Sequence, residues 1–375
     1  MSAYKATVRP LLFRLDPERV HDWTLLILPL FPVFQGLHPR TLASKVAGLT
    51  FPSPIGLAAG FDKNAQRFKK MYDFGFGSVE VGTLTPKLQQ GNPRPRIERV
   101  RRENAIINCM GFPNQGLERA LSRLAAFKNR RGPLGINLGA NAESADKIRD
   151  YVIGYRAVAG VADYVTINVS SPNTPGLRSL ESGRALGELL DRLDAEIEEF
   201  GTPLFLKVSP DLNRDQIQDT STSLLKSRVA AVIVGNTSLQ RPENFELLSP
   251  SAGGLSGEPL RKISEDALEG FYSELGQKLP IISVGGIASA EDAYRRICKG
   301  ASLVQLYTAF VYEGPYLIKR MNAQLERLLI EDGHRSISSA IGSRAVHAPG
   351  LMPAPINRSR RSKPMPRPQS SQALA

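Results

Sequence analysis

The 375-residue chain is long enough for one large domain or two ordinary ones, and its hydrophobic content of 42% is sufficient for a substantial core. Its two cysteines, Cys109 and Cys298, argue against a disulfide scaffold, and neither has a second ligand at the spacing of a zinc site. The net charge of +12 does not favour nucleic-acid binding by the whole chain, because seven basic residues and no acidic ones follow residue 334.

Residues 1–40 predict a small helical segment. The apolar run from Trp23 to Phe34 is shorter than the roughly 20 residues that span a bilayer, and Pro29 and Pro32 interrupt it. Basic residues precede the run, as in amphipathic elements that lie on a membrane surface; they are Lys5, Arg9, Arg14 and Arg19. A pair of helices packed on the main domain is the alternative interpretation.

Residues 41–340 predict an α/β domain. Eight short apolar runs alternate with longer helical stretches, which indicates parallel strands with right-handed crossovers and favours a closed (β/α)8 TIM barrel. An open doubly wound sheet is the alternative, but no run is followed by a G-x-G-x-x-G turn. The runs are Pro54–Ala58, Ser78–Gly82, Leu134–Leu138, Tyr164–Val169, Leu204–Val208, Ala231–Val234, Ile281–Val284 and Leu303–Leu306.

Polar side chains and glycines, together with Ala59, lie at or just after the ends of these runs and would meet at one face of the barrel, where the parallel strands all end. They are Ala59, Gly60, Asp62, Lys63 and Asn64 after the first run, Thr83 after the second, Asn137 in the third, Asn168 and Ser171 around the end of the fourth, Lys207 in the fifth, Asn236 and Thr237 after the sixth, Gly285 and Gly286 after the seventh, and Tyr307 and Thr308 after the eighth.

The glycines after the seventh run and the hydroxyl-bearing turn after the eighth predict a phosphate-binding site. Backbone N–H groups hold phosphate at this place in many barrels of this type. A second glycine loop, Gly253–Gly257, lies between the sixth and seventh runs and would extend that cradle.

The loop from Asn168 to Gly176 is the strongest candidate for an active-site loop. Pro172 and Pro175 fix the backbone, and two asparagines flank a pair of serines, which suits a flat, amide-bearing ligand beside a proton acceptor. An ordinary polar turn after a strand is the alternative.

The residue inventory limits the chemistry of this face. None of the four histidines lies at a strand end, and Asp62 is the only acidic residue there, so paired-carboxylate hydrolysis and metal catalysis are poorly supported. Lysines, carboxamides and a phosphate site instead fit a cofactor that brings its own redox chemistry, such as flavin mononucleotide (FMN). We expect no metal.

Six motifs, taken together and in this order, resemble those of dihydroorotate dehydrogenases of the quinone-linked class 2 type. They are Ala58–Lys63, Gly91–Arg96, Asn108–Phe112, Asn168–Gly176, Gly253–Gly257 and Val284–Ile287, and the resemblance extends over residues 4–340. It implies oxidation of (S)-dihydroorotate to orotate with one FMN as hydride acceptor and a membrane quinone as final electron acceptor, in de novo pyrimidine biosynthesis.

The resemblance also implies residue roles. Ser171 would remove the C5 proton of dihydroorotate, where class 1 enzymes use Cys, and our hypothesis is that Thr174 and water relay that proton. Substrate would contact Lys63, Asn108, Cys109, Met110, Gly111, Phe112, Asn168, Asn173, Asn236 and Thr237. FMN would contact Ala59, Gly60, Thr83, Asn137, Asn168, Lys207, Gly235, Gly257, Gly286, Tyr307 and Thr308.

For the second half-reaction, His21, Arg99 and Tyr307 match positions that line the quinone tunnel in relatives. For Arg99, a solvated surface charge is the alternative, since it lies in a basic run. Two residues depart from the family pattern: Cys109 stands where Arg is usual, and Gly235 where Thr is frequent.

The closest rivals are a class 1 enzyme or a related pyrimidine reductase, and Ser171 with the N-terminal segment speaks against both. A non-enzymatic membrane or nucleic-acid binder is the rival from another class. Residues 341–375 form a basic, Pro- and Ser-rich tail for which we expect disorder and no nucleic-acid partner. No secretory signal or transit peptide is evident, so we expect a protein bound peripherally to the cytoplasmic face of a bacterial inner membrane. We also expect a monomer.

Overall fold

The computed structural model describes residues 4–31, 38–125, 131–242, 245 and 253–345. Its strands are β1 (Ser44–Val46), β2 (Leu49–Phe51), β3 (Ile55–Leu57), β4 (Ser78–Leu84), β5 (Ile97–Val100), β6 (Ala105–Asn108), β7 (Leu134–Leu138), β8 (Tyr164–Asn168), β9 (Leu204–Val208), β10 (Ala231–Val234), β11 (Gly254–Gly257), β12 (Ile281–Val284) and β13 (Leu303–Leu306).

Helices follow most of the barrel strands. They are α1 (Arg9–Leu12), α2 (Pro17–Ile27), α3 (Phe68–Asp73), α4 (Leu117–Ala125), α5 (Lys147–Val158), α6 (Gly183–Phe200), α7 (Arg214–Lys226), α8 (Arg261–Leu275), α9 (Ala290–Cys298), α10 (Thr308–Glu313), α11 (Leu317–Glu331) and α12 (Ile337–Ala340).

Eight parallel strands close into a barrel in the order β3, β4, β7, β8, β9, β10, β12 and β13, and β13 pairs back onto β3. The predicted (β/α)8 TIM barrel is therefore confirmed. Five of the eight predicted runs have the observed bounds. The other three observed strands differ from the predicted runs by one or two residues at one or both ends. They are Ile55–Leu57, Ser78–Leu84 and Tyr164–Asn168.

The core has two layers, as expected for strands that are buried on both faces. One layer lies between the strands and the surrounding helices, and the other fills the barrel interior. In the interior the rings of Tyr164 and Phe205 stack with centroids 4.4 Å apart. This packed floor leaves the carboxyl ends of the strands as the open face of the barrel.

A small antiparallel sheet of β5, β6 and β11 stands at that face. Gly253–Gly257, which the sequence predicts as a loop, is largely the strand β11, because Gly254 to Gly257 pair with Asn108 to Ala105 of β6. The partner strand lies far away in sequence, so local composition gave no indication of this pairing.

The N-terminal segment begins at a well-defined helix start. The Asp16 carboxylate accepts the Arg19 N–H at 2.9 Å and Pro17 occupies the first turn of α2, which packs against β5. Within the described ranges, no helix combines the length and hydropathy needed to cross a membrane. The domain boundaries at residues 40 and 340 stay a prediction, and residues 346–375 of the tail lie outside the described residues.

Candidate active site at the open end of the barrel

A cavity of about 410 Å³ joins the strand-end loops to the N-terminal helix α2. It brings together most of the predicted site residues, namely His21, Ala59, Gly60, Lys63, Thr83, Arg99, Asn108, Met110, Gly111, Phe112, Asn168, Ser171, Asn173, Lys207, Asn236, Thr237, Gly257, Gly286, Tyr307 and Thr308. Four predicted residues, Cys109, Asn137, Thr174 and Gly235, do not line it.

The two serines of the Asn168–Gly176 loop have different surroundings. Ser170 is fully buried, donates to Asn168 Oδ1 at 2.9 Å and accepts from Asn236 Nδ2 at 2.8 Å. Ser171 lines the cavity, and its Oγ accepts only a long hydrogen bond of 3.3 Å, from the Asn173 N–H. Ser170 thus holds the loop, and Ser171 is the serine that lines the cavity.

Thr174 belongs to the same loop but does not line the cavity. Its side chain is buried, and its Oγ1 has no hydrogen-bond partner among the residues that the structure describes. A buried hydroxyl without a partner is unusual, because leaving it unsatisfied costs roughly 1–3 kcal/mol. The hydroxyl of Thr174 therefore has hydrogen-bonding capacity that no described residue uses.

Carboxamide side chains form two hydrogen-bonded sets at the cavity wall, one with Asn173 and Asn108 and the other with Asn236 and Asn168. Asn173 Nδ2 donates to the Asn108 carbonyl at 3.0 Å, and Asn236 Nδ2 lies 3.3 Å from Asn168 Oδ1. Asn137 lies beneath these sets, where its Oδ1 accepts from Thr83 Oγ1 at 2.6 Å and from Asn168 Nδ2 at 3.1 Å. Asn137 therefore fixes two cavity-lining side chains without lining the cavity itself.

Lys63 and His21 form the junction between the barrel and α2. Burial lowers the pKa of Lys63 to about 8. His21 Nε2 lies 3.5 Å from Lys63 Nζ, and burial together with that charge holds the pKa of His21 well below its usual value. Asp62, the predicted acidic residue of this face, instead accepts the backbone N–H groups of Gln66 and Arg67 and shapes the turn.

Lys207 is buried in the barrel mouth beside an acid that the strand-end pattern missed. Burial lowers the pKa of Lys207, and the charge of Glu80 opposes that shift. Glu80 is fully buried and accepts from Asn137 Nδ2 at 2.7 Å, Gln305 Nε2 at 2.9 Å and Thr166 Oγ1 at 3.1 Å. The sequence did indicate Glu80, since an acidic residue inside an apolar run such as Ser78–Gly82 is seldom buried without function or partners.

At the opposite end of the cavity, Arg296 orients the Gly285–Gly286 turn. Its fully buried guanidinium donates to Gly285 O at 3.1 Å, and Ser264 Oγ donates to the same oxygen at 2.8 Å. Since the carbonyl and the next N–H point in opposite directions across a trans peptide, the Gly286 N–H faces away from Arg296. A Cβ on Gly286 would lie 2.4 Å from the Arg261 backbone, so only glycine fits.

Comparison with known proteins identifies the family. A sequence model described as dihydroorotate dehydrogenase matches residues 41–329. The chain is 49% identical over 345 residues to a protein of Sphingopyxis alaskensis named dihydroorotate dehydrogenase (quinone), covering 91% of this chain and 97% of that one. The chain belongs to the dihydroorotate dehydrogenase family.

Further members of the dihydroorotate dehydrogenase family support this assignment. A protein of Novosphingobium aromaticivorans with the same name is 44% identical over 342 residues, covering 90% of this chain and 98% of the relative. The crystal structure of the Eimeria tenella dihydroorotate dehydrogenase in complex with ferulenol superimposes with a TM-score of 0.83 at 37% identity, covering 88% of this chain and 95% of that one. The predicted resemblance to the quinone-linked class is confirmed.

Near α2, the cavity is lined mainly by aromatic and apolar side chains. His21 packs edge-on against Phe61 with ring centroids 5.4 Å apart, and Phe61 packs edge-on against Tyr307 at 5.7 Å. Arg99 is partly buried here and is no ordinary surface charge, because it donates to Leu15 O at 2.9 Å and lies 4.7 Å over the Phe13 ring.

The two departures from the family pattern lie behind the cavity wall. Cys109 is tied by its backbone, with its N–H donating to Arg96 O at 2.9 Å and its carbonyl accepting from Asn92 Nδ2 at 2.8 Å. Gly235 has φ +124°, and a Cβ there would lie 2.1 Å from Val284 O. At Gly235 the local backbone therefore requires glycine.

Proposed function

We propose that the chain oxidises (S)-dihydroorotate to orotate with bound FMN and passes the electrons to a membrane quinone, as a step of de novo pyrimidine biosynthesis. The observation that carries this proposal is the single cavity lined both by Ser171 and Lys63 at the barrel mouth and by His21 of the N-terminal helix. The names of the quinone-linked relatives support the same assignment.

Members of this family are flavin-dependent, and the residues of this chain suit one FMN per subunit. When bound, the flavin supplies the hydride acceptor. Lys207 would place a positive charge against the ring system, with Thr83 and Gly60 beside it. Gly286, Gly257 and Thr308 would hold the phosphate, and the outward N–H of Gly286 is the kind of donor that an anion requires.

Ser171 is the residue that we assign as the base for the C5 proton of dihydroorotate. It is 6% exposed, so ligand binding leaves little room for water at its hydroxyl. A serine hydroxyl is a weak base, and proton transfer from it needs a relay. Thr174, with its unpartnered hydroxyl, supports the hypothesis that this residue and water carry the proton onwards.

Lys63 and the carboxamides would bind the substrate. The Lys63 ammonium is suited to the carboxylate of dihydroorotate, and Asn108, Asn173 and Asn236 offer donors and acceptors to the ring amides. Thr237, Met110, Gly111 and Phe112 would complete the site. Cys109 does not line the cavity, so its assigned contact would be through its neighbours.

The N-terminal segment would dock on the membrane and admit the quinone. Four large apolar side chains there are half or more exposed: Leu11, Trp23, Leu26 and Leu30. Such exposure is typical of an element that lies in a membrane interface. We propose peripheral association of a monomer with the cytoplasmic face of a bacterial inner membrane.

The test uses the purified chain. A yellow protein with flavin absorbance, bleached by dihydroorotate without oxygen and recoloured by a soluble ubiquinone analogue, would support the proposal. Recolouring by fumarate or a nicotinamide nucleotide and not by quinone would indicate a class 1 enzyme. A colourless protein that takes up no FMN would contradict the proposal entirely.

A further inference from the structure

Glu18 stands apart from its neighbours on the N-terminal helix. Pro17, Val20 and His21 line the cavity, but Glu18 does not and is 8% exposed. A buried carboxylate requires charged or hydrogen-bonding partners. The partners of Glu18 lie in the barrel loops and not beside His21, the predicted quinone-tunnel residue of the same helix.

Glu18 is paired with a buried arginine that holds a loop. Arg96 places Nε 3.1 Å and Nη2 2.6 Å from the two carboxylate oxygens of Glu18, and it is also 8% exposed. The third guanidinium nitrogen, Nη1, donates to Gln90 O at 2.7 Å and Asn92 O at 2.8 Å. The Arg96 guanidinium thus binds α2 through Nε and Nη2 and binds the loop of residues 89–92 through Nη1.

Asn92 extends this connection to the substrate-binding loops. Its Nδ2 donates to Cys109 O at 2.8 Å and reaches Asn173 O at 3.3 Å, and its backbone N–H donates to Met110 O at 3.0 Å. Asn92 itself does not line the cavity, while Asn173 and Met110 do. The loop carrying Asn173 also carries Ser171.

Packing around this connection is tight. A Cβ on Gly111 would lie 2.7 Å from Asn92 Oδ1, and one on Gly91 would lie 2.9 Å from Arg96 Nη1. Both glycines have positive φ, +68° and +74°, so their backbone conformation is also unfavourable for other residues. The close packing leaves little room for movement between Glu18 and the loops that carry Asn92 and Gly111.

We propose that Glu18 is a positioning residue for the dihydroorotate half-reaction, acting through Arg96 and Asn92 on the Asn173 loop. This inference rests on the proposed function. Without the carboxylate, the Arg96 guanidinium would remain buried with its main counter-charge removed, and breaking one partner of such a pair is strongly destabilising locally. Arg96 would then move towards water and release the carbonyls of Gln90 and Asn92.

The test is anaerobic reduction of the flavin by dihydroorotate in the absence of quinone, comparing Glu18→Gln with wild-type enzyme. We expect the dissociation constant of dihydroorotate to rise roughly tenfold. Arg9→Gln is the matched control, because Arg9 anchors the same N-terminal segment by donating to Tyr312 O at 3.2 Å, and among the described residues the structure records no contact between it and residues 89–92. This variant should leave that constant unchanged. The wild-type arm separately tests the proposed function.

Two further measurements keep the inference testable if Glu18→Gln is unstable. Asn92→Ala removes an uncharged member of the same series of hydrogen bonds and should weaken dihydroorotate binding similarly. The double variant should bind dihydroorotate no more weakly than the weaker-binding single variant. Amide exchange at Asn92 and Cys109 should accelerate in Glu18→Gln while the barrel strands stay protected. Unchanged quinone-free binding in both single variants, or fully additive losses, would overturn the inference.

Discussion

The proposed contact between Lys63 and the substrate carboxylate makes substrate affinity depend on the ionisation of this side chain. Burial lowers its pKa to about 8, so in the free enzyme the ammonium loses its proton as the pH rises through that value. Because the charged form binds a carboxylate, the affinity for dihydroorotate should be full below pH 8 and fall above it, by up to about tenfold per pH unit.

Orotate carries the same carboxylate as dihydroorotate, so titration of the flavin absorbance with orotate from pH 7 to 9.5 measures this dependence. Lys63→Arg is the control, since a guanidinium stays charged throughout this range and should give a weaker but pH-independent affinity. A wild-type affinity that does not change with pH would show that Lys63 does not bind the carboxylate.

Arg296 orients the Gly285–Gly286 turn, where we propose that the FMN phosphate binds. Arg296→Met removes the charged donor that orients Gly285 O, so the affinity of the apoprotein for FMN should fall roughly tenfold to 100-fold. Riboflavin lacks the phosphate, and its affinity should stay the same. Titrating apoprotein with both flavins by fluorescence quenching makes the comparison.

Arg295→Met provides the matched control for Arg296→Met. Arg295 lies on the same helix turn and pairs with Glu265 and Asp292, but the structure records no contact between it and Gly285. Equal losses of FMN and riboflavin affinity in Arg296→Met would mean that the arginine supports the fold and not the phosphate site.

At single residues, the sequence predicted the groups that face the cavity better than those behind it. Ser171, Lys63 and Lys207 were identifiable because they stand at strand ends or in recognisable motifs. Glu80 and Arg296 were missed, because their roles depend on partners distant in sequence, and an arginine in a charged helix resembles a surface residue. Thr174 was predicted to relay a proton, and its unpartnered hydroxyl leaves that prediction open.

Among the elements, α2 has features of both interpretations that the sequence left open. It packs on β5, as a docked helix would, and it also exposes Trp23 and Leu26 to solvent at 50% and 66%. The barrel strands were predictable because each is a continuous apolar run between helical stretches. Strand β11 was not, since its partner β6 lies about 150 residues earlier and its own sequence is rich in glycine.

The exposed face of α2 makes a prediction about lipid binding. Trp23 is the only tryptophan of the chain, so its fluorescence should shift to shorter wavelength when anionic vesicles are added. Leu26→Glu should weaken vesicle binding and lower turnover with a long-chain quinone, while reduction of the flavin by dihydroorotate is retained.

Ile330→Glu is the control for Leu26→Glu. Ile330 is 61% exposed on α11, so the substitution adds the same charge to an apolar surface residue outside the N-terminal segment and should not alter vesicle binding. Equal effects of the two substitutions would indicate a non-specific influence of charge on lipid binding.

For the whole molecule, the count of eight strand runs favoured a closed barrel, and the lack of a G-x-G-x-x-G turn after any run argued against the open doubly wound sheet. The relation between the barrel and the N-terminal segment was not predictable in the same way. It depends on individual contacts such as Arg99 to the Leu15 carbonyl and Glu18 to Arg96, which pair residues of separate elements.

We propose that one cavity supports both half-reactions and that Ser171 serves only the first. The most direct test measures both halves in Ser171→Ala by stopped-flow absorbance. We predict that anaerobic flavin reduction by dihydroorotate slows roughly 100-fold or more, while reoxidation of chemically reduced flavin by a ubiquinone analogue keeps its wild-type rate. Flavin reduction at a near wild-type rate would contradict the account.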